Sequence, residues 1–439
     1  MTTDQRFERD LPDLLADLYL GPTPDYRDDV LARARRTRQR PAWTLPERWL
    51  PMAVVDRRRV LAPNVPWRAV AVIGLIAILL AALLAAYAGS RPRLPAPFGP
   101  AANGAILYAK GGDIFVRSDA SGTARVLIGD PARDEAPLFS RQGDRFMFFR
   151  VISDTGACDC EVWLANADGS GAHKLAGPYT NPTTWDWSPD GSKIVISHGI
   201  PAVSAITVIP TDGSPPKTLD LGTPAADPTW RPPNGDQIAF RGGGPSGKAH
   251  VYLVHSDGTG LTSLDLPTQD IAPEHDFNHG FTWSPDGRRF AYETVERFDK
   301  AKVGVDSGLR IHIAEVDPNG KVTADRRVEF DPTADNELQP VWLPAGDRIV
   351  FQTREGNADF LSIGVVPSPS GSGHESATRI GGSSTSGGGI GFEIAPDGRS
   401  LLVLYWQETT TWVYDLDKMR ATQTDMGPLD VASYQRLAP

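Results

Sequence analysis

The sequence predicts an all-β fold: a seven-bladed β-propeller of four-stranded antiparallel blades. The C-terminal strand closes the ring, and a short helical head and one transmembrane helix precede it. Three observations carry this. A "WSPDG"-like turn followed by an alternating apolar run recurs six times after residue 136 of the 439-residue chain. Gly (43) and Pro (38) are abundant while hydrophobic content stays at 40%, which suits many short strands joined by turns better than disorder. Ala69 to Gly89 contains no charged residue.

The head comes first, at residues 1–68. Phe7, Leu11, Leu14, Leu15 and Leu18 fall on one face of a helix that Gly21 and Pro22 would stop, and they are the candidate surface for a protein partner. A second helix is expected from Asp25, acidic at its start and basic at its end, as the helix dipole favours. Ten arginines lie between Arg33 and Arg68. The net charge is nevertheless −10, which argues against a whole-chain nucleic-acid binder.

Residues 69–89 read "AVAVIGLIAILLAALLAAYAG". At about 1.5 Å rise per residue this helix would span roughly 30 Å, a bilayer core. The arginines on its N-terminal side predict a single-pass protein of the cell membrane, with the head in the cytoplasm and the propeller outside. Trp43 and Trp49 would sit at the membrane interface. A Pro-rich linker, residues 90–103, leads to the propeller at 104–439.

The turn glycines Gly143, Gly191, Gly235, Gly287, Gly346 and Gly398 recur every 44 to 59 residues, about one blade each. The first four are each followed by a second strand and then by a third that ends in Asp-Gly or Asn-Gly, as in "EVWLANADGSG" and "HVYLVHSDGTG". The first repeat material, from Gly104, lacks a first strand. "VASYQRLAP", from Val431, reads as a lone first strand, so the two ends should share one blade and leave no free edge. The repeated tryptophans Trp185, Trp187, Trp230, Trp283 and Trp342 read as packing between blades.

These residues resemble the TolB-like or PD40 type of WD40-like propeller repeat, on W-SPDG-x-x-I/F-A/V and the x-DG-x-G turn. The resemblance covers about three quarters of the chain and implies the fold; propellers host many functions. The head pattern "LPDLLADL…PDYRDDVLARARRTRQRPAWTLPERWLP" resembles that of membrane-bound regulators of the anti-sigma-factor type. That resemblance implies a sigma factor as cytoplasmic partner. The His and Cys-x-x-C motif of the zinc-type members is absent from the head.

Candidate sites fall on the propeller face opposite the SPDG turns. Asp134, Glu135, Asp227, Asp270, Glu274, Asp335 and Glu337 precede or begin first strands, and a ring of them would collar the channel mouth and attract cations or basic peptides. Strand-end capping is the alternative. His275, Asp276 and His279 in one long loop could hold a divalent metal, or simply be solvated. Cys158 and Cys160 could form a small disulfide ring, remain free, or bind metal. With two cysteines there is no disulfide framework. No G-x-S-x-G, P-loop or H-E-x-x-H occurs, so neither catalysis nor a cofactor is expected. The expected function is binding of a protein or small ligand by the propeller, with signalling through the head. A membrane-tethered scaffold and a metal- or sugar-binding receptor are the alternatives.

Overall fold

The structure, a computed structural model, describes residue 32, the backbone of residues 67–90, and residues 95–438 apart from 154–157, 201–202, 244–248, 267–279, 298–306, 329–335, 357, 367–375, 385–389, 406–409, 428 and 430. The chain divides into two compact units, residues 1–91 and 92–439. In the first, helix α1 runs from Trp67 to Ser90. Its side chains are described over residues 70–81, where they are exposed. Among the described residues no helix is long and apolar enough to cross a membrane. Phe7, Leu11, Leu14, Leu15 and Leu18 lie outside the described residues.

The second unit is built of seven four-stranded antiparallel sheets. We number the blades along the chain and label their strands a to d. The a strands are Arg133–Phe139, Thr184–Trp187, Ala225–Trp230, Phe281–Trp283, Asn336–Trp342, Ile390–Ile394 and, in blade 7, Ala432–Leu437. Strands b, c and d of blade 7 are Ala102–Lys110, Asp113–Arg117 and Arg125–Ile128, from the start of the unit. Tyr434 pairs with Ile106 and Ala432 with Tyr108, so the C-terminal strand closes the ring as expected.

The Ser-Pro-Asp-Gly turn forms for a local reason. In blade 2 the Ser188 hydroxyl donates to Asp190 (2.7 Å) and accepts the Lys193 backbone N–H (2.9 Å) that starts strand b. The Asp190 carboxylate also accepts the Ser192 backbone N–H at 3.0 Å. Blade 4 repeats this with Ser284, Asp286 and Arg289. The c–d turns use the same aspartate device: Asp168 accepts from Ser170, and Asp257 from Thr259.

The core lies between blades. Met147, Phe149 and Val162 of blade 1 pack with Trp187, Ile194 and Ile196 of blade 2 in one cluster. Trp283 and Phe290 of blade 4 pack with Val251 and Leu253 of blade 3. Trp187, Trp230, Trp283 and Trp342 are buried, as their repeat position predicts, whereas Trp185 is half-buried, edge-on to Phe149 and on the wall of the central cavity. Each fully buried large apolar side chain contributes about 1.5–3 kcal/mol, so a lone blade gains little and a closed ring gains much.

Candidate functional site: the propeller channel

Strands a line a central cavity of about 330 Å³ at the end bounded by the a–b turns. Each blade contributes the residue before its last a-strand position: Leu138, Asp186, Thr229, Thr282, Val341, Glu393 and Arg436. The ring is therefore mixed, with two carboxylates, one guanidinium, two hydroxyls and two aliphatic side chains. Arg141, from the a–b turn of blade 1, reaches in beside them and donates to Asp186 at 2.6 Å.

The acids of this ring also stitch the blades together. Asp186 of blade 2 accepts the Trp230 backbone N–H of blade 3 at 2.9 Å and the Thr229 hydroxyl at 3.1 Å. Glu393 of blade 6 accepts the Tyr434 backbone N–H of blade 7. Glu393 is half-buried on the cavity wall, and desolvation there pushes its carboxyl up to about 7, against the pull of Arg141 and the Tyr434 N–H. Burial and the like charge of Arg141 bring Arg436 down to about 10. Burial, then the Glu393 charge, raises the Tyr434 hydroxyl. The channel thus sets a carboxyl of raised pKa beside two guanidinium groups, an arrangement that can recognise a ligand by charge and hydrogen bonding.

The structure places the acids expected to form a collar as follows. Asp134 is 1% exposed and held by two hydrogen bonds from Arg150, at 2.7 and 2.8 Å. Asp227 is buried and pairs with Arg241 at 2.8 Å. Glu337 is buried and accepts the Ile311 backbone N–H of the preceding blade. Glu135 is half-buried and pairs with Arg133. Their charge is met within the fold. Asp270, Glu274, Asp335, His275, Asp276 and His279 lie outside the described residues. Among the described residues no group of His, Cys, Asp and Glu is arranged to hold a metal ion.

Cys158 and Cys160 are joined by a disulfide, with one residue between them. Asn181, just past the neighbouring strand His173–Thr180, fixes this small ring: its side-chain oxygen accepts the Cys158 N–H (2.9 Å), and its own N–H donates to the Cys158 carbonyl (2.7 Å).

The sequence reading did not single out Asp186, Glu393, Arg436 and Arg141. One signal was available. Aligning the repeats on the turn puts a charged residue in three blades at a position where the others carry Thr, Leu or Val.

No protein-family model and no curated protein matches the chain. Among solved structures it superposes on the tricorn protease with a TM-score of 0.51 at 12% identity, over 78% of this chain and 35% of that one. The periplasmic gluconolactonase PpgL of Pseudomonas aeruginosa gives 0.50 at 14% identity, over 76% of this chain and 99% of that one. TolB from Acinetobacter baumannii gives 0.42 at 13% identity, over 76% and 66%. The chain thus spans about two thirds of that TolB and about a third of the tricorn protease. Likenesses this distant show the β-propeller fold alone. The chain is thus a seven-bladed β-propeller whose repeat resembles the TolB-like type.

Proposed function

We propose that the chain is a non-enzymatic, single-pass membrane protein. Its propeller, outside the cytoplasm, binds a protein or small ligand through the channel. The observation that supports this most is the mixed ring at the channel end, where Asp186, Glu393, Arg436 and two threonines converge on a cavity of about 330 Å³. Convergent polar groups in a walled cavity are what a recognition site needs. The tether reading rests on the uncharged run 69–89 and the arginines before it.

The test compares the native full-length chain with Thr282→Trp, which fills the cavity from an exchangeable ring position. Partners are captured in native membranes and identified. A partner held by the native chain and lost from a folded Thr282→Trp chain supports channel binding. Equal capture by both overturns it. Replacing residues 69–89 with a polar linker is expected to release the protein from the membrane fraction; retention there would overturn the tether.

The head decides between signalling and scaffolding. In the signalling reading it engages a cytoplasmic regulator such as a sigma factor. A Leu14→Asp/Leu18→Asp head should then lose that regulator in a pull-down of lysate. If neither head captures one, the propeller is a tethered scaffold and the head its anchor.

A further inference from the structure

The mouth of the channel beside the a–b turns is occupied by the chain itself. Pro97, Phe98 and Gly99 line the cavity together with residues of all seven blades. Pro95 is buried. Arg436 donates from Nη2 to the carbonyls of Ala96 (3.1 Å) and Gly99 (2.6 Å). The Arg141 guanidinium lies 5.0 Å from the centre of the Phe98 ring while it is bound to Asp186. The Ala101 N–H then donates to Pro396 at 2.9 Å. Two arginines thus read two features of one extended segment: its backbone carbonyls and its aromatic ring.

That is the chemistry by which a groove recognises a proline-rich peptide. Proline fixes the extended backbone in advance and leaves carbonyls free to accept, while a cation over an aromatic face adds anchoring. Arg436 is costly to bury, and its Nε has no partner. Blade closure alone gives no reason for a guanidinium at this ring position; the Ala96 and Gly99 carbonyls do.

We propose that this mouth is a docking site for an extended peptide of proline and aromatic residues, which the chain fills in cis with its own Pro95–Gly99 segment. The proposal deepens the channel-binding reading and rests on it. It names the ligand class: an extended segment of this chemistry in a partner protein, which must displace the resident one. A short covalent linker competes at an effective concentration in the millimolar range, so the native site is largely closed to free peptide.

The test uses three full-length chains: native, Phe98→Ala, and Phe98→Ala/Arg436→Gln. The probe is a fluorescein-labelled peptide of the sequence RLPAPFGPA, titrated to several millimolar and followed by anisotropy. Phe98→Ala weakens the resident segment, so this chain is expected to bind the probe about tenfold more tightly than the native chain. Adding Arg436→Gln should cost about tenfold, and a probe with Ala in place of Phe should bind no chain. A Phe98→Ala chain that melts with the native one yet shows no saturable binding overturns the proposal. So does binding that Arg436→Gln leaves unchanged in a folded chain. Should the double variant not fold, amide exchange of the native chain decides. Protection of the Ala101 N–H at the level of strand b of blade 7 supports the docked segment; exchange at the free-chain rate overturns it. If the probe fails while Thr282→Trp still abolishes partner capture, the channel binds something else and only the ligand class is wrong.

Discussion

At Glu293, in strand b of blade 4 (Arg289–Arg297), burial is complete and only one carboxylate oxygen has a partner. The Gln339 N–H of blade 5 donates to Oε1, and Oε2 has none. Burial pushes this carboxyl up to about 7, against the Gln339 hydrogen bond and the Arg241 charge. The folded state therefore holds a proton that the unfolded chain releases near 4.5. Stability from this group falls as pH rises from about 4.5 to 7, by roughly 3 kcal/mol in all. Glu293→Gln keeps an oxygen for Gln339 and removes the charge. It is expected to melt above the native chain at pH 8 and with it at pH 5. A variant less stable than native at pH 8 would refute this account. Asp134 presents the opposite case, a buried carboxylate that is paired. Burial raises its pKa in spite of Arg150, while the pairing raises that of Arg150. The two-bond geometry, more than net electrostatic gain, keeps this pair. Arg150→Met should cost about 3–5 kcal/mol in denaturant unfolding, because it leaves Asp134 buried without its cation.

The a–b turns pack against the neighbouring blade, and at Gly143, Gly235 and Gly287 the glycine is demanded by that neighbour as well as by its backbone. Gly287 has φ +67°, and a Cβ there would lie 1.8 Å from the carbonyl oxygen of Pro232 in the preceding turn. Gly213 has φ +84° with nothing near. Gly213→Ala should cost about 1–2 kcal/mol of backbone strain. Gly287→Ala should cost clearly more, about 3 kcal/mol or above, since backbone must move as well. Equal costs in urea melts would show that the turns are not locked together. These turns are also why the fold was legible. A Ser, an Asp and a Gly at fixed spacing each make a local bond or adopt a local φ, so their signal survives in a single sequence. The channel was less legible for a physical reason. The a strands of blades 1, 3 and 5 carry a β-bulge, with Ala136, Asp227 and Gln339 at φ 50°, 54° and 53° just before a proline. A bulge breaks the alternation by which inward and outward residues are told apart. Asp134, Asp227 and Glu337 sit in those strands, so an acidic collar was a fair expectation from sequence. Their arginine and backbone partners come from neighbouring strands and blades, which periodicity does not reveal.

Closure of the ring is the property on which both the fold and the proposed site depend. Blade 7 takes its inner strand from residues 432–437, and that strand does three things at once. It covers the hydrogen-bonding edge of Ala102–Lys110. Its Ser433 hydroxyl accepts the Phe139 N–H of blade 1, and Gln435 donates to the Gly143 carbonyl there at 2.7 Å. It supplies Arg436, which holds the Pro95–Gly99 segment. Removing residues 431–439 therefore strips the inner strand from one blade, opens the ring between blades 6 and 1, and empties the channel mouth. The exposed edge invites pairing with a second chain. The truncated protein is expected to lose well over 4 kcal/mol, a drop of about 10 °C or more in Tm, and to associate in a concentration-dependent way. A synthetic peptide of residues 429–439 added in trans should restore the monomer and the melting temperature, because the pairing and the pockets for Ser433 and Tyr434 remain in the rest of the fold. Sedimentation and thermal melts with and without that peptide are the measurement. A truncated chain that stays monomeric and melts with the native one would mean that six blades hold the ring without the seventh being complete. The C-terminal strand would then serve the channel mouth rather than the fold.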